Sequence, residues 1–468
     1  MAGIGFNLRR LTRQDNYLGV LLAYGYSALI TAGPWIFTII ALSGTLWLGS
    51  YFTSHEEQAG FRILVIYNFA FSLLFSGPLV MVATRWLADQ IYEKDVHAVP
   101  GMLLGALAVL FAFNLLLAVP FYLFVVRLPV LEQLLGLMNY FLITGVWLAG
   151  VFLTALKDYH PIIRTFAVGM VVGLGFNVLF AAPMGVAGML LGFNFGLAYI
   201  LFSLLARILA EYPYAATKPF GFLTYFRKYW ELAVGGFVTY LAAWADKFIM
   251  WFSPHGERAA GELLHFPNYD SAMFLSYITI IPAMAAFVVT IETGFFEHYL
   301  RFYRDIREHA TLERIRLNHQ AMISNIQDSA RNFLILQGSL TLMVILLAPQ
   351  LFQWMGINYL QLGIFRLGAL GALFHVMVLF LFILLSYFDM RRPALYLQLV
   401  FLGTNTVFTL VTVELGYEYY GYGYFGATLV TFVVSYLVTQ FLVGELPYQT
   451  FVRQNASVSQ AERRKESQ

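Results

Sequence analysis

The sequence predicts an all-α integral membrane protein of about twelve transmembrane helices in two six-helix bundles, with both termini in the cytoplasm. Three observations lead to this prediction: the composition, the hydrophobic runs and the distribution of basic residues. Of 468 residues, 60% are apolar and 12% are charged, and the mean hydropathy is +0.70. Soluble domains carry about 25% charged residues. Lipid rather than water is therefore the expected solvent for most of the chain.

Twelve hydrophobic runs are long enough to cross a bilayer, which takes about 20 mostly apolar residues. To within a few residues, they lie at 20–49, 61–87, 101–126, 137–156, 161–183, 186–206, 229–252, 271–291, 333–352, 362–388, 393–413 and 424–444. Only a turn around Pro183 and Gly185 separates the fifth run from the sixth, so this pair could be read as one interrupted helix. The first run follows a polar segment and lasts about thirty residues, which indicates a retained helix rather than a cleaved signal peptide.

The basic residues orient these spans. With the N-terminus inside, nearly all of the 28 Lys and Arg residues fall in inner segments. The exceptions are three outer-loop residues and two residues within spans, namely Arg62, Arg127, Arg258, Lys247 and Arg366. Because cytoplasmic loops of membrane proteins are enriched in Lys and Arg, this asymmetry predicts that both termini are cytoplasmic.

Two inner segments divide the chain further. Residues 207–228 contain two prolines and four basic residues, which predicts a cytoplasmic linker between an N-terminal bundle, 1–206, and a C-terminal bundle, 229–444. A cytoplasmic tail, 445–468, follows. Apolar residues at helical spacing make 292–332 amphipathic, which predicts a pair of helices at the inner membrane surface. The alternative is that this segment is a docking surface for a cytoplasmic partner.

The motifs for enzymatic chemistry and cofactor binding are missing from the sequence. Without cysteine there are no disulfides, iron–sulfur clusters or thiolate zinc sites. There is no P-loop or H-E-x-x-H motif, and GYGYFG at 421–426 follows no strand, so it does not indicate a nucleotide site. The outer loops are too short for a catalytic domain, and a net charge of +2 does not indicate a nucleic-acid partner. We therefore expect no catalytic residues, cofactor or metal.

The charged residues of the seventh span are the most informative. A charge at the bilayer centre costs roughly 3 kcal/mol on insertion scales, so it usually faces a cavity or a partner. Asp246 and Lys247 are adjacent and diverge by about 100° on a helix, so we expect them to face different directions. Tyr240, Trp244, Lys247 and Trp251 share one face. Aromatic rings can stack on sugars and lysine can donate hydrogen bonds to them. Alternatively, Trp251 anchors the interface, Lys247 snorkels and Asp246 is its counter-ion.

Polar stripes with proline kinks occur in the first two spans and suggest a water-accessible cleft between the bundles. The eighth span also contains a proline, Pro282. His375 lies near the middle of the tenth span, and for a single buried histidine a structural hydrogen-bonding role is favoured over proton transfer. The predicted substrate pathway is Tyr24, Thr31, Trp35, Asn68, Tyr240, Trp244, Asp246, Lys247 and His375. Glycine pairs at 101/105, 169/173, 188/192 and 192/196 predict close helix packing instead.

Four stretches carry a resemblance that extends over essentially the whole chain. They are NLRRLTRQDNYLGVLLAYGYSALITAGPWIFTIIALSG at the start, PLVMVATRWLADQIYEKD at the end of the second span, GFVTYLAAWADKFIMWF in the seventh and PNYDSAMFLSYITIIPAM entering the eighth. With twelve spans and a basic connection between two halves, the chain resembles the multidrug/oligosaccharidyl-lipid/polysaccharide flippase superfamily. Within it, the chain is similar to the PelG family of inner-membrane exopolysaccharide transporters.

The resemblance implies a MATE-like fold and multi-pass insertion in the bacterial inner membrane. It also implies a cargo, the growing aminosugar-rich Pel polysaccharide of the biofilm matrix, which the cytoplasmic glycosyltransferase PelF would make. The membrane proteins PelD and PelE are further implied partners. In flippase relatives, the first, second, seventh and eighth spans line the cavity.

Two other functions stay open. One is a cation-coupled flippase of lipid-linked oligosaccharide or drugs, which would favour an isolated buried carboxylate, whereas Asp246 has Lys247 beside it. The other is a membrane-embedded polysaccharide polymerase or glycosyltransferase, and the short outer loops disfavour it.

Overall fold

The computed structural model describes residues 33, 36–155, 160–259, 261–290 and 294–448. Its helices are α1 (Ile36–Gly49), α2 (His55–Glu93), α3 (Val99–Pro120, continued by a π-turn at Phe121–Val125), α4 (Val130–Ala155), α5 and α6 (together His160–Glu211), α7 (Leu223–Lys228), α8 (Trp230–Trp251), α9 (Pro267–Ile278), α10 (Ile281–Thr290), α11 (Phe296–Arg307), α12 (Leu312–Met355), α13 (Leu362–Tyr387), α14 (Arg391–Leu415), α15 (Tyr422–Gly444) and α16 (Leu446–Tyr448). One small hairpin pairs β1 (Glu257–Arg258) with β2 (Leu264–His265).

The described helices agree with the predicted spans, although most of the first span, 20–49, lies outside the described residues. Within the described residues, ten helical stretches are long and apolar enough to cross a membrane, and α1 is a shorter apolar helix. The stretch His160–Glu211 contains two spans, because Gly185 leaves helical geometry with φ 56° and ψ −130°. A positive φ of this kind costs glycine little and other residues more. The turn predicted between the fifth and sixth spans therefore lies at Gly185, with α5 at 160–184 and α6 at 186–211.

Glycines allow α5 and α6 to pack as a tight antiparallel hairpin. A β-carbon placed on Gly192 would lie 2.7 Å from the backbone nitrogen of Asn177, and one on Gly196 would lie 2.6 Å from the carbonyl oxygen of Gly169. The close helix packing predicted from these glycine pairs is confirmed. The pair Gly101 and Gly105 differs, because its close neighbours are backbone atoms of the 207–228 segment rather than another helix. For that pair, the prediction of helix–helix packing was wrong.

The eighth predicted span is broken in the middle. α9 ends at Ile278 and α10 begins at Ile281, immediately before Pro282. Proline has no backbone N–H and cannot continue the helical bonding pattern. The side-chain amide of Gln337 in α12 donates to the carbonyl oxygen of Thr279 at 3.2 Å. A neighbouring helix thus satisfies a backbone group at the break, as a membrane interior requires.

The amphipathic segment differs from its prediction. Its first part is α11, but its second part is the start of α12, a continuous helix of 44 residues that includes the ninth predicted span. The second part is therefore not a separate helix lying on the membrane surface. α11 packs on α12 through Phe302, Ile315 and Met322, which join a buried apolar cluster with the ends of α13 and α15. His319 contacts the carbonyl oxygen of Val443 at 2.8 Å.

A long seam joins the helices before the 207–228 segment to those after it. α2 packs on α4 and also directly on α8. The rings of Tyr67 and Trp251 stack at 4.6 Å at one end of the seam, and the rings of Phe71 and Phe248 stack at 5.3 Å. Further along, Gly77 lies against the backbone of α8. The cleft expected between the two halves is therefore closed along α2 and α8.

Candidate functional site: a buried ion pair inside an aromatic cage

Asp246 and Lys247 form a direct ion pair inside the protein. The Lys247 ammonium nitrogen lies 3.1 Å from both carboxylate oxygens of Asp246, and the two residues are 0% and 8% exposed. The expectation that they face different directions was wrong, because the flexible four-carbon stem of lysine lets the ammonium turn back toward its neighbour. Lys247 does not snorkel to the interface. The interpretation of Asp246 as its counter-ion is confirmed.

The Asp246 carboxylate has two further partners from other helices. The Tyr269 hydroxyl of α9 donates to it at 2.9 Å, and the Asn405 amide of α14 approaches it at 3.5 Å while donating to the carbonyl oxygen of Ala242 at 2.8 Å. A buried charge is tolerated only when it is paired and hydrogen-bonded. The pair therefore depends on the packing of α8 against α9 and α14.

Aromatic rings surround the ammonium group on its remaining sides. Its nitrogen lies 4.8 Å from the ring centre of Tyr277, and 5.8 Å from those of Trp244 and Tyr424. It also donates to the carbonyl oxygen of Ala243 at 3.3 Å. Cation–π attraction contributes about 2 kcal/mol or more when the cation is desolvated. We refer to the rings of Trp244, Tyr277 and Tyr424, together with the Lys247 ammonium group that they surround, as the aromatic cage.

His375 adjoins the cage through Tyr424. Its Nδ1 lies 2.8 Å from the Tyr424 hydroxyl, and its ring packs edge-on against Phe401 at 5.0 Å. His375 is thus hydrogen-bonded within the protein, as the favoured interpretation expects. It fixes the Tyr424 ring that contacts the ammonium group.

Trp251 has a different role from the interfacial anchor that was one interpretation. It is buried, stacks on Tyr67, and its indole N–H donates to the carboxylate of Asp270 at 3.0 and 3.1 Å. The backbone N–H of Phe266 also donates to Asp270 at 3.1 Å. Sequence reasoning missed Asp270, although its position in the first turn of α9 marks it as a helix-start carboxylate.

The other predicted pathway residues lie away from the cage or outside the described residues. Asn68 is buried against α4, where it donates to the Gly136 carbonyl and to Asn139, both at 2.9 Å, and accepts from Tyr122. Asn68 is 2% exposed, so its side chain is enclosed by its partners in this structure. Tyr240 lies two helical turns from Lys247, beside Gly77. The predictions for Tyr24, Thr31 and Trp35 fall outside the described residues.

The arrangement provides hydrogen-bond donors and acceptors beside flat ring faces, in a part of the protein that is closed to solvent. No group of three or more His, Asp or Glu side chains that could hold a metal ion occurs among the described residues. The site brings together four predicted residues, Trp244, Asp246, Lys247 and His375. Sequence reasoning did not find the partners from α9, α14 and α15, since tyrosine and asparagine carry no signal until the helices pack.

Comparison with solved structures defines the class of protein. An outward-facing multidrug resistance MATE family transporter of the MOP superfamily has a TM-score of 0.60 at 15% identity and covers 94% of this chain and 98% of its own. An inward-facing one has a TM-score of 0.57 at 13% identity, covering 90% and 99%. A MOP superfamily transporter from Pyrococcus furiosus has a TM-score of 0.61 at 12% identity, covering 92% and 96%. The chain therefore has the fold of the MATE transporters.

Sequence comparison then gives the family. The family model of PelG, described as "Putative exopolysaccharide Exporter (EPS-E)", matches residues 1–451. The chain belongs to the PelG family. Comparison with curated protein sequences gives no match.

Proposed function

We propose that this protein moves a growing exopolysaccharide across the bacterial inner membrane for the biofilm matrix, and that a cytoplasmic glycosyltransferase supplies the polymer. The observation that carries the proposal is the PelG family match, which extends over nearly the whole chain. The MATE-like fold supports transport rather than catalysis as the activity. The coupling to synthesis, with PelF as the enzyme and PelD and PelE as membrane partners, is part of the proposal.

The aromatic cage and its ion pair are the proposed contact region for the polymer. In the closed structure Lys247 is held by Asp246 and by ring faces. When α2 and α8 separate, the same rings offer stacking surfaces for sugar units, and the ammonium group can exchange a protein oxygen for a sugar oxygen. Tyr24, Thr31, Trp35 and Tyr240 stay in the proposed pathway.

Separation of α2 from α8 would move the two bundles of the protein relative to each other. The proposed moving units are residues 1–206 and 229–444, which the 207–228 linker connects.

α11 and the first part of α12 are a proposed docking surface for the glycosyltransferase, because this helical pair extends beyond the predicted span and carries exposed arginines such as Arg301 and Arg314.

Reconstitution tests the activity. The protein and its glycosyltransferase are incorporated into liposomes with nucleotide sugar on the side of the enzyme. We expect polymer on the opposite side only when both proteins are present, since neither synthesis nor transport alone delivers it. Polymer made by this chain alone would contradict the transporter proposal and favour a polymerase.

A set of variants then tests the ion pair in the same assay. Removing one partner of a buried ion pair lowers the folding stability by roughly 3–5 kcal/mol, whereas replacing both partners with uncharged residues is often tolerated. We therefore expect Lys247→Met alone to reduce the amount of folded protein, and Lys247→Met with Asp246→Asn to restore folding but reduce export at least about tenfold. The control is Arg258→Gln, which removes a solvent-exposed ion pair of little energetic value. A folded double variant with parental export would remove the cage from the pathway.

A further inference from the structure

The linker between the two bundles lies directly on α3 of the N-terminal bundle. A β-carbon on Gly101 would overlap the backbone carbonyl oxygen of Thr217, and a β-carbon on Gly105 would overlap that of Pro219. The linker backbone therefore touches the two glycine residues at a distance that no residue with a β-carbon permits. Because Gly101 and Gly105 are about one helical turn apart, the two contacts fix both the position and the direction of the linker on α3.

Aromatic side chains hold the linker on both sides of these contacts. The ring of Tyr214 packs edge-on against His97, in the connection between α2 and α3, with the ring centres 4.3 Å apart. Tyr212 is 8% exposed and Phe222 is 0% exposed, so both side chains are packed within the protein. The linker is thus attached before, at and after the glycine contacts.

The backbone of the linker is also held in an uncommon conformation. Lys218, between the two residues that contact the glycines, has a φ of 48°. The left-handed region is unfavourable for a residue with a β-carbon, and such a conformation persists only where the surrounding structure determines it. A freely moving linker would not keep Lys218 in this region. The contacts of Thr217 and Pro219 with α3 provide the surroundings that do.

The chain reaches the second bundle at Tyr229. α7 packs against α2 and ends at Lys228, and α8 begins at Trp230, so Tyr229 is the one residue between them, with φ −126° and ψ 41°. The Tyr229 hydroxyl donates to Asp89 of α2 at 3.4 Å. Its ring centre lies 4.7 Å from the guanidinium carbon of Arg391, at the start of α14. Tyr229 therefore contacts both bundles.

We propose that residues 212–228 form a strap that moves as part of the N-terminal bundle, and that the two bundles pivot at Tyr229. Hinges are a few residues at the ends of elements that absorb changes in φ and ψ, and Tyr229 has this position. The N-terminal moving unit then extends from residue 206 to residue 228. The pivot rests on the proposed function, in which the bundles separate during export, whereas the attachment of the strap can be measured without export.

Cross-linking of the cysteine-free full-length chain tests the strap. In His97→Cys with Tyr214→Cys, a short bifunctional methanethiosulfonate reagent joins the strap to the N-terminal bundle. In Tyr67→Cys with Trp251→Cys, whose parental rings stack at 4.6 Å, the same reagent joins the two bundles. We expect the first cross-link to form and to leave export into liposomes unchanged, because the joined parts move together. The second cross-link should stop export, and reductant should restore it.

Gly101→Ala with Gly105→Ala tests the contact between the strap and α3. The added β-carbons should displace the linker backbone and slow the cross-linking of His97→Cys with Tyr214→Cys by about fivefold or more. Gly150→Ala is the control, because nothing lies within 4 Å of its added β-carbon, and it should leave the rate unchanged. If the double glycine variant does not fold, the two cross-links in the otherwise parental chain decide the question.

A cross-link between residues 97 and 214 that forms and stops export would overturn the proposal, because the linker would then have to move relative to the N-terminal bundle. Failure of this cross-link to form would also overturn it. Unchanged export with residues 67 and 251 joined would show that the bundles do not separate, and would remove the pivot. Absence of export from the parent would contradict the proposed function instead, and the cross-linking rates alone would then decide whether the strap is attached.

Discussion

The charge of Lys247 is stabilised by groups from four helices, and this explains which site residues a sequence can reveal. Asp246 and Lys247 stood out because ionisable residues are rare in membrane spans. Their partners Tyr269 and Asn405 did not stand out. Tyr269 is one of many tyrosines in the sequence, and Asn405 lies on a different helix, far from Asp246 along the chain. The 100° step between adjacent helical residues does not predict where the Lys247 ammonium group lies, because its flexible side chain turns back to Asp246.

His265 in β2, at the end of the protein that is predicted to face outward, provides a prediction about pH. Burial, together with the nearby charge of Arg62, lowers the pKa of His265 to about 4. An unfolded histidine has a pKa of about 6.5, so the unfolded chain binds more protons between these values. The stabilising contribution is present above pH 6.5 and is lost as the pH falls toward 4. Thermal unfolding in detergent should therefore depend less on pH over this window in His265→Gln than in the parent.

The control for this measurement is His55→Gln. His55 is exposed at the start of α2, so its side chain is hydrated in the folded and unfolded states alike. A pH dependence that is the same in the parent and in His265→Gln would show that the histidine does not contribute to it.

At the level of whole helices, hydropathy predicts the membrane-crossing parts well and their extensions poorly. The spans at 362–388 and 393–413 agree closely with α13 and α14. The span at 333–352 covers less than half of α12, because the first part of that helix is polar and is stabilised by packing on α11. Glycine spacing predicted close contacts correctly within the α5–α6 hairpin, but it could not specify the partner of Gly101 and Gly105.

The contact between α2 and α8 gives a prediction about helix packing. A β-carbon on Gly236 would lie 2.4 Å from the carbonyl oxygen of Gly77, which is backbone and cannot rotate away. Overpacking of this kind typically costs about 1–3 kcal/mol. Gly236→Ala should therefore lower the melting temperature of the purified protein and weaken the seam between the two halves.

Gly150→Ala is the matched control, because nothing lies within 4 Å of its added β-carbon. Alanine exceeds glycine in helix stability by roughly 0.5–1 kcal/mol, so this control should be neutral or slightly stabilising. Equal melting temperatures for the two variants would show that α2 and α8 do not depend on close backbone contact.

At the scale of the whole molecule, ionic and aromatic contacts close the seam at the end opposite Trp251. The guanidinium groups of Arg85 and Arg391 both lie near the Tyr229 ring, at 5.1 and 4.7 Å from its centre. Arg85 also lies 3.6 Å from the carboxylate of Asp389. These residues belong to α2, to the start of α8 and to the connection between α13 and α14, so the cluster joins the two halves. Which side of the membrane it faces depends on the orientation predicted from the basic residues.

The complete absence of cysteine allows that orientation to be measured directly. Single cysteines are introduced at Arg258 in β1 and at Ala215 in the 207–228 linker, both of which are exposed. With cytoplasmic termini, Arg258→Cys should react with a membrane-impermeant maleimide in intact spheroplasts. Ala215→Cys should react only after lysis, because the linker faces the cytoplasm.

The parent chain serves as the blank, since it has no thiol to label. Labelling of both variants after lysis shows that each thiol is accessible, so that a negative result in intact cells reports sidedness alone. The reverse pattern, with Ala215→Cys labelled in intact cells, would contradict the predicted orientation. It would also place the proposed docking surface on α11 and α12 on the outer side, where a cytoplasmic glycosyltransferase could not reach it.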